Sequence, residues 1–180
     1  MTEFASASDV VAFWIEAGPE KWFAKDDAFD AVFRDRGHTL HWAAARRECD
    51  DWMASAEGAL ALSILLDQYP RNSFRGTAHQ FATDPLALMF ANRAVAEDHH
   101  LAVAPELKNF LLLPFEHSER IEDQDRYMAL VAGDEELEKW GRIHRDIIVR
   151  FGRFPHRNAA LGRATTPDEQ DFLDQGGFGG

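Results

Sequence analysis

ALALSILL, residues 59–66, is the stretch that decides the fold, because it is apolar on every side of a helix. A helix without a polar face has to be surrounded by other elements, so this segment is predicted to form the central helix of the molecule. The helix is predicted to end in a polar stretch at residues 67–72, DQYPRN. Leu60, Ile64 and Asp67 share one face by their spacing. The carboxylate of Asp67 is therefore expected to be buried in part, and it then needs a cation or a hydrogen-bond donor.

The flanking sequence carries the periodicity and the boundary signals of further helices. Two strong starts are Thr83-Asp84-Pro85 and Thr166-Pro167-Asp168-Glu169, where a capping side chain precedes a proline. A short apolar helix is predicted from Pro105 to Leu113, ended by Pro114, because proline disrupts the interior of a helix. The last long helix is predicted from Glu135 to about Phe151.

Composition and pattern together predict one globular domain. The 180 residues are 46% hydrophobic and include 14 Phe and 5 Trp, which is enough for a sizeable core. No alternation typical of strands appears in the sequence. We therefore predict an all-α, single-domain bundle or superhelix of about eight helices in antiparallel pairs over residues 1–175, followed by a flexible glycine-rich tail at residues 176–180.

The charge and the single cysteine exclude several classes of protein. The formal net charge of −12 argues against nucleic acid as the main partner, because such partners are bound through an excess of Lys and Arg. Neither a signal peptide nor an apolar run of about 18 residues for a membrane span is visible. Cys49, as the only cysteine, excludes an internal disulfide and fits a reducing compartment. The sequence predicts a cytoplasmic protein and leaves its oligomeric state and any cofactor open.

Residues 150–158, RFGRFPHRN, form the most concentrated polar motif. Gly152 and Pro155 predict a helix exit, since glycine tolerates the left-handed turn that ends a helix and proline cannot continue one. The two phenylalanines of the motif are expected to be buried and to hold this turn. The remaining side chains need partners, because an unpaired buried charge is costly; they are Arg150, Arg153, His156, Arg157 and Asn158.

Two more polar clusters resemble this motif, because each lies at a helix end beside a proline and a bulky apolar residue. We expect the three clusters to converge into one site. The first comprises Asp67, Gln68, Arg71 and Asn72, and the second comprises Glu116, His117 and Glu119. Gln124 and His144 are added as inward-facing polar residues on apolar helix faces, where a buried amide or imidazole has to be hydrogen-bonded.

The predicted site has three interpretations. The first is a buried ion-pair network that fixes helix ends. The second is a pocket for an anionic small molecule or a peptide carboxylate, bound by the fork of an arginine. The third is a hydrolase-like or transferase-like enzyme, with or without a metal ion, in which His117 or His156 acts as general base beside Glu116. No ligand spacing predicts a metal site, although Asp67, Glu116, His117 and His156 are suitable ligand types.

Four long motifs resemble the bacterial domain-of-unknown-function family 924. They are FW.EAGPEKWF at residues 13–23, LLDQYPRNSFRGT at 65–77, PFEHSE at 114–119 and HRDIIVRFGRFPHRNAALGRATTPDE at 144–169. Together they extend over nearly the whole chain. The resemblance implies an all-helical fold of the tetratricopeptide-like type and no established activity.

Overall fold

The computed structural model describes residues 2–179, and these residues contain helices and no strand. This confirms the predicted all-α class, with eight α-helices of seven residues or more. The described residues divide into a first unit, 2–75 and 79–114, and a second unit, 76–78 and 115–179. The tetratricopeptide-like arrangement and the boundary between residues 175 and 176 stay predictions.

The first unit contains most of the helices. Its elements are α1 (Ala7–Ala17), α2 (Pro19–Trp22), α3 (Asp27–Ala45), a 3-10 helix (Asp50–Ala54), α4 (Ala56–Ser63), a π-helix (Ile64–Gln68), α5 (Tyr69–Ser73), α6 (Asp84–Ala96), α7 (His99–Ala102) and a 3-10 helix (Pro105–Leu107). A 3-10 helix (Ala78–Phe81) and α8 (Lys108–Glu116) contribute residues to both units.

The central segment is buried on all sides, as its sequence predicts. Every residue from Ala59 to Pro70 is buried. α1 and α6 pack on α4, and α3 packs on the π-helix and on α5. The predicted central helix is therefore confirmed, although its path differs from an unbroken α-helix.

The segment from α4 to α5 keeps a helical path past Pro70, where the sequence predicted an end. Ser63, Gln68 and Tyr69 all have right-handed helical dihedrals, and the Tyr69 N–H donates to the carbonyl of Ile64, five residues back. Proline lacks an N–H and clashes with the carbonyl four residues before it, which is Leu66 here. The wider π turn accommodates the proline, and the hydroxyl of Thr83 donates to the Leu66 carbonyl at 2.6 Å.

A second helix also continues through a proline, at Pro114, where the sequence predicted a helix end. α8 includes Pro114 and continues to Glu116, whereas the sequence predicted that the proline would end the helix. The carbonyl four residues before Pro114 belongs to Phe110, and the hydroxyl of Ser63 donates to it at 2.5 Å. In both helices a side-chain hydroxyl from another segment replaces the donor that proline lacks, so the helix continues.

The second unit consists of α9 (Ile121–Leu130), α10 (Glu135–Phe151), a 3-10 helix (Pro155–Arg157) and α11 (Pro167–Asp174). α10 has the predicted bounds. The Asp134 carboxylate caps its start, and Gly152 ends it with φ 68° in the left-handed region. Thr166 and Glu169 form the predicted capping box of α11. α10 packs on α9, and α11 packs on the 3-10 helix that follows α10.

Phenylalanines border the polar residues of the second unit. Phe154 is completely buried, as predicted, and packs with Ile147 and Ile148. Phe151, which was also predicted to be buried, lies only partly buried against the same cluster, as does Phe172. Within residues 2–179 no helix combines the length and the hydropathy needed to cross a bilayer.

Candidate functional site

In the first unit Asp67 is fully buried at the end of the π-helix. Its carboxylate accepts from the amide of Gln68 at 2.7 Å and lies 3.1 Å from Arg71 Nη1. Arg71 also makes a bidentate pair with Asp84, at 2.8 and 3.0 Å, and donates to the Asp67 carbonyl. Burial opposes the charge of Arg71, but Asp67 and Asp84 outweigh it and raise the pKa of the guanidinium. The pairing keeps this arginine charged.

Asn72 belongs to a different cluster of the first unit. Its amide donates at 2.7 Å to Asp30, which lies in α3 and is almost fully buried. Arg75 donates to the same carboxylate at 2.8 Å. The sequence analysis did not single out Asp30, because 42 residues separate it from Asn72. The predicted first cluster is thus divided between two internal carboxylate groups, one at Asp67 and one at Asp30.

In the second unit Glu119 is paired with Arg163. The two guanidinium nitrogens donate to the carboxylate at 2.7 and 3.0 Å, and the backbone N–H of Phe154 adds a third bond at 2.9 Å. Burial raises the pKa of Glu119, but these hydrogen bonds and the charge of Arg157 outweigh it, so the pKa lies below its usual range. Arg163 was not among the predicted site residues, because it lies outside the compact motif at 150–158.

Arg153 pairs with Glu169, the acidic residue of the capping box. The two bonds measure 2.6 and 2.8 Å, and Arg153 also donates to the carbonyl of Ala164. The bonds from Arg153, together with the N–H and hydroxyl of Thr166, hold the pKa of Glu169 at about 2. Asn158 is fully buried between Glu169, at 3.3 Å, and Arg163, which donates to its side-chain oxygen at 3.0 Å.

The other two arginines of the motif have different surroundings. Arg157 is buried and lies over the ring of Phe154, 4.5 Å from its centre. Arg150 is exposed and lies over the ring of Phe151 at the same distance. Arg150 is thus on the solvent side of α10, whereas Ile147 and Ile148 of the same helix are buried.

His144 is the centre of the predicted imidazole cluster. It is almost fully buried, and its Nδ1 atom lies 3.0 Å from the carbonyl of Trp140 and 3.4 Å from a carboxylate oxygen of Glu116. Both neighbours are acceptors, so they favour a proton on Nδ1. The ring of His117 lies 6.3 Å from the ring of His144. Gln124, which is fully buried, donates to the carbonyls of Glu116 and Ser118 and fixes this end of α8.

A phenylalanine from the glycine-rich segment lies against these imidazoles. The centre of the Phe178 ring is 4.5 Å from that of His144 and 5.5 Å from that of His156. Gly176 turns the chain after α11 with φ 78°. A Cβ atom on Gly177 would lie 2.5 Å from the carbonyl oxygen of Phe172, so only glycine fits there. The predicted flexibility of residues 176–180 stays a prediction, and Gly180 lies outside the described residues.

The structure therefore brings Glu116, His117, Gln124, His144 and His156 together in the second unit, and places Arg153 and Asn158 beside Glu169. Asp67, Gln68 and Arg71 form a separate group in the first unit. The convergence of all three clusters stays a prediction, as do the assignments of catalytic and ligand-binding roles. Within residues 2–179 no group of three or more His, Cys, Asp or Glu side chains is arranged to hold a metal ion.

Sequence reasoning missed a second pair of histidines, which lies in the first unit. The Nδ1 atom of His41 is 2.9 Å from the carbonyl of Leu65 in the π-helix, and its Nε2 atom is 2.9 Å from Nε2 of His79. His41 is fully buried and stacks on Tyr69, with ring centres 4.7 Å apart. Burial lowers the pKa of His41 to about 4 and also lowers that of His79. The only sequence signal for His41 is its position on the inward face of α3.

Comparison with known proteins agrees with the predicted resemblance. The model of a family described as bacterial proteins of unknown function (DUF924) matches residues 10–177. A solved structure of a protein of unknown function from Agrobacterium tumefaciens is 52% identical, with a TM-score of 0.92; the match covers 94% of this chain and 97% of that one. No protein with a curated description matches. Because the family model matches almost the whole sequence, the chain belongs to the DUF924 family of bacterial proteins of unknown function.

Proposed function

We propose that this protein is a binding module for peptides, and that its second unit recognises an aromatic side chain between His144 and His156. The observation that carries the proposal is the position of Phe178, whose ring lies 4.5 Å from one imidazole and 5.5 Å from the other. A segment of the chain itself thus occupies the site in the way that a peptide ligand would.

The arginines favour a peptide over a small anion as the ligand at this site. Arg153, which belongs to the motif at 150–158, and Arg163, which follows it, are both occupied by internal carboxylates, Glu169 and Glu119. An arginine that already makes a bidentate pair has little capacity left for an external carboxylate. These two ion pairs are better explained as supports that hold the turn after α10.

The imidazole of His144 is suited to hold an aromatic ring. It is almost fully buried, and the Trp140 carbonyl and the Glu116 carboxylate fix its orientation. A fixed ring gives up little rotamer freedom on binding, which favours affinity. Phe154, whose ring centre is 5.7 Å from that of His144 and 5.6 Å from that of His156, adds apolar surface to the site. The ligand is therefore a peptide whose aromatic residue is flanked by small residues, as Phe178 is flanked by Gly177 and Gly179.

The test uses the full chain with Phe178→Ala, which empties the position between the imidazoles. The probe is a fluorescently labelled peptide with the sequence of residues 174–179, and the measurement is fluorescence anisotropy. We expect saturable binding to the Phe178→Ala variant, weaker binding to the wild type because its own segment competes, and loss of binding in Phe178→Ala/His144→Ala. The matched control peptide carries Ala in place of the phenylalanine. Equal binding of both peptides, or no binding of either to Phe178→Ala, would refute the proposal.

The contact between Glu116 and His144 favours a second candidate function, a hydrolase-like or transferase-like enzyme. A carboxylate beside Nδ1 orients an imidazole and increases its basicity at Nε2. His117 or His156 was predicted as the general base. In the structure the Nδ1 atom of His144 lies 3.4 Å from a carboxylate oxygen of Glu116, which makes His144 a further candidate. An enzyme would turn over small anionic esters or amides and lose kcat in His144→Ala, while a pure binding module would show no turnover in either form.

We also propose that the protein is cytoplasmic and that nucleic acid is not its main partner. Both rest on the sequence, which has a single cysteine and a formal net charge of −12. Retention of the protein on a nucleic-acid column at about 0.15 M salt would contradict the second point, because electrostatic binding of polyanions is strongest at low ionic strength.

A further inference from the structure

A hollow of about 400 Å³ lies on the first unit between α1 and α3. Pockets that bind small ligands typically span about 300–1,000 Å³. The lining consists of three charged side chains and five apolar ones, namely Phe13, Glu16, Ala17, Lys21, Ala28, Phe29, Val32 and Arg36. None of these residues belongs to the peptide site proposed above, so the hollow is an independent candidate.

Two stacked aromatic rings form the apolar part of the hollow. The rings of Phe13 and Phe29 are nearly parallel, with an interplanar angle of 7° and centres 5.3 Å apart. Phe13 also stacks on Phe33, which is fully buried in the core. This support from the core keeps the two rings in place without a ligand.

Arg36 lies beside these rings, and three contacts fix its side chain. Its guanidinium lies between two rings, 4.6 Å from the centre of Phe4 and 5.2 Å from the centre of Phe13. Its Nε–H donates to the carbonyl of Thr2 at 3.1 Å. Within the described part of the chain its two terminal NH₂ groups make no hydrogen bond, and no carboxylate lies within salt-bridge distance.

This state distinguishes Arg36 from the arginines of the predicted site. Arg71, Arg153 and Arg163 each make a bidentate pair with an internal carboxylate. The two free NH₂ groups of Arg36 present the planar fork that matches a carboxylate. Because the Nε bond and the two rings fix the side chain, little rotamer entropy is lost when an anion binds.

The charge of the hollow agrees with an anionic ligand. Lys21 lies over the ring of Phe29, with Nζ 5.7 Å from the ring centre, and is 3.9 Å from Asp26 in a mostly exposed pair. The lining has two cationic residues and one acidic residue, Glu16, in a protein whose net charge is −12. Outside the lining, Asp26 lies beside Lys21, and Asp9 lies within electrostatic range of Arg36. A local cationic site of this size favours one carboxylate over a polyanion.

We infer that the hollow binds a small monocarboxylic acid with a flat apolar body, of the arylalkanoate class. The carboxylate pairs with the terminal NH₂ groups of Arg36, and the apolar body packs against Phe13 and Phe29, which line the hollow. Lys21 contributes long-range attraction, because its side chain reaches over the second ring. The interaction combines a charge-assisted fork with burial of an aromatic face.

Isothermal titration calorimetry with 3-phenylpropionate as the probe tests this inference on the full chain. We expect saturable binding to the wild type and a loss of affinity of about 10-fold or more in Arg36→Met, since a hydrogen bond to a charged group contributes about 1.5–3 kcal/mol. The matched control is Arg34→Met, which removes a cation from the same helix whose side chain is 47% exposed. Its affinity should equal that of the wild type.

A second probe separates the carboxylate from the ring. 3-Phenylpropionamide has the same apolar body without the charge, and it should bind at least about 10-fold more weakly than the acid. Equal affinity for acid and amide, unchanged affinity in Arg36→Met, or no saturable binding of the acid to the wild type would each overturn the inference. Circular dichroism melting confirms that both variants are folded, and binding of the residue 174–179 peptide to Arg36→Met/Phe178→Ala tests the peptide site separately.

Discussion

The imidazole of His41 donates from Nδ1 to the carbonyl of Leu65, across 2.9 Å. This assignment follows because a carbonyl oxygen only accepts hydrogen bonds. The donors that a helix would offer to Leu65 are absent: the Tyr69 N–H goes to Ile64, and the next residue, Pro70, has no N–H. With its proton on Nδ1, neutral His41 accepts at Nε2 from the Nε2–H of His79. His41 therefore supplies the hydrogen bond that the helix itself does not offer to the Leu65 carbonyl.

The stability of the protein should fall as the pH decreases through the range set by His41. Burial lowers its pKa from 6.5 to about 4 in the folded chain. Between these values the unfolded chain binds the proton and the folded chain does not, so protonation favours unfolding and the stabilisation is present above about pH 6.5. From about pH 6.5 to about pH 5 this group alone should decrease the free energy of unfolding by about 2 kcal/mol. Urea denaturation across this range measures it.

The control for His41 is His41→Gln, which keeps an amide donor for the Leu65 carbonyl and does not titrate. The difference in unfolding free energy between wild type and variant should shrink as the pH falls. His100, whose pKa burial also lowers, contributes to the pH dependence of both proteins and therefore cancels. A pH-independent difference would show that His41 is protonated equally in both states.

The hydroxyl of Thr83 should contribute to stability mainly because Pro70 cannot donate a hydrogen bond to the Leu66 carbonyl. Thr83→Val leaves the buried carbonyl of Leu66 without its 2.6 Å partner and should cost about 1–3 kcal/mol of stability. In the Pro70→Ala background residue 70 regains an N–H, so the same substitution should cost less than half as much. Chemical denaturation of the four proteins gives the coupling energy, and Thr83→Ser is the control that keeps the hydroxyl. Equal costs in both backgrounds would mean that the two residues act independently.

Arg153 and Arg150 lie three residues apart and should differ strongly in their contribution to stability. Arg153→Met leaves Glu169 without its bidentate partner and should lower the unfolding free energy measurably. Arg150→Met removes an exposed charge stacked on Phe151 and should change it by about 0.5 kcal/mol or less. Thermal and urea unfolding of the two variants provide the comparison, and a similar loss in both would contradict the assignment of Glu169 to Arg153.

Two glycines in the segment that carries Phe178 should respond differently to alanine. A Cβ on Gly177 meets the carbonyl and the ring of Phe172 at 2.5–2.6 Å, whereas Gly179 has no atom within 4 Å of its Cβ position. Gly177→Ala should therefore displace Phe178 from His144, and Gly179→Ala should not. The ring-proton resonances of His144 in NMR spectra report the nearby aromatic ring. In Gly177→Ala they should move to the positions seen in Phe178→Ala.

Local signals predicted the elements that depend on neighbouring residues. Asp134 and Gly152 mark the two ends of α10, and Thr166 with Glu169 marks the start of α11; each effect acts within one turn, so it is visible in the sequence. The need of Asp67 for a cation could be recognised for the same reason, since Arg71 is four residues away.

Local signals could not predict the two helices that continue past a proline. A proline predicts a helix end unless another group satisfies the carbonyl four residues earlier, and these groups come from Thr83 and Ser63, which are 13 and 51 residues from the prolines in the sequence. The pairing of Arg163 with Glu119, 44 residues apart, was missed for the same reason. A sequence offers several arginines for each carboxylate, and only the packed fold selects one.

The π turn also sets the phase of everything that follows it on the same helical path. One additional residue in a turn rotates all later side chains by about 100° around the axis relative to an unbroken α-helix. In this phase Arg71 donates to Asp84 and Asn72 donates to Asp30. A chain with one residue deleted between Ile64 and Gln68 would keep its apolar character and its helical length, yet it would turn both polar side chains away from their carboxylates. The extra residue of the π turn thus determines the direction in which Arg71 and Asn72 project, and with it their pairing with Asp84 and Asp30.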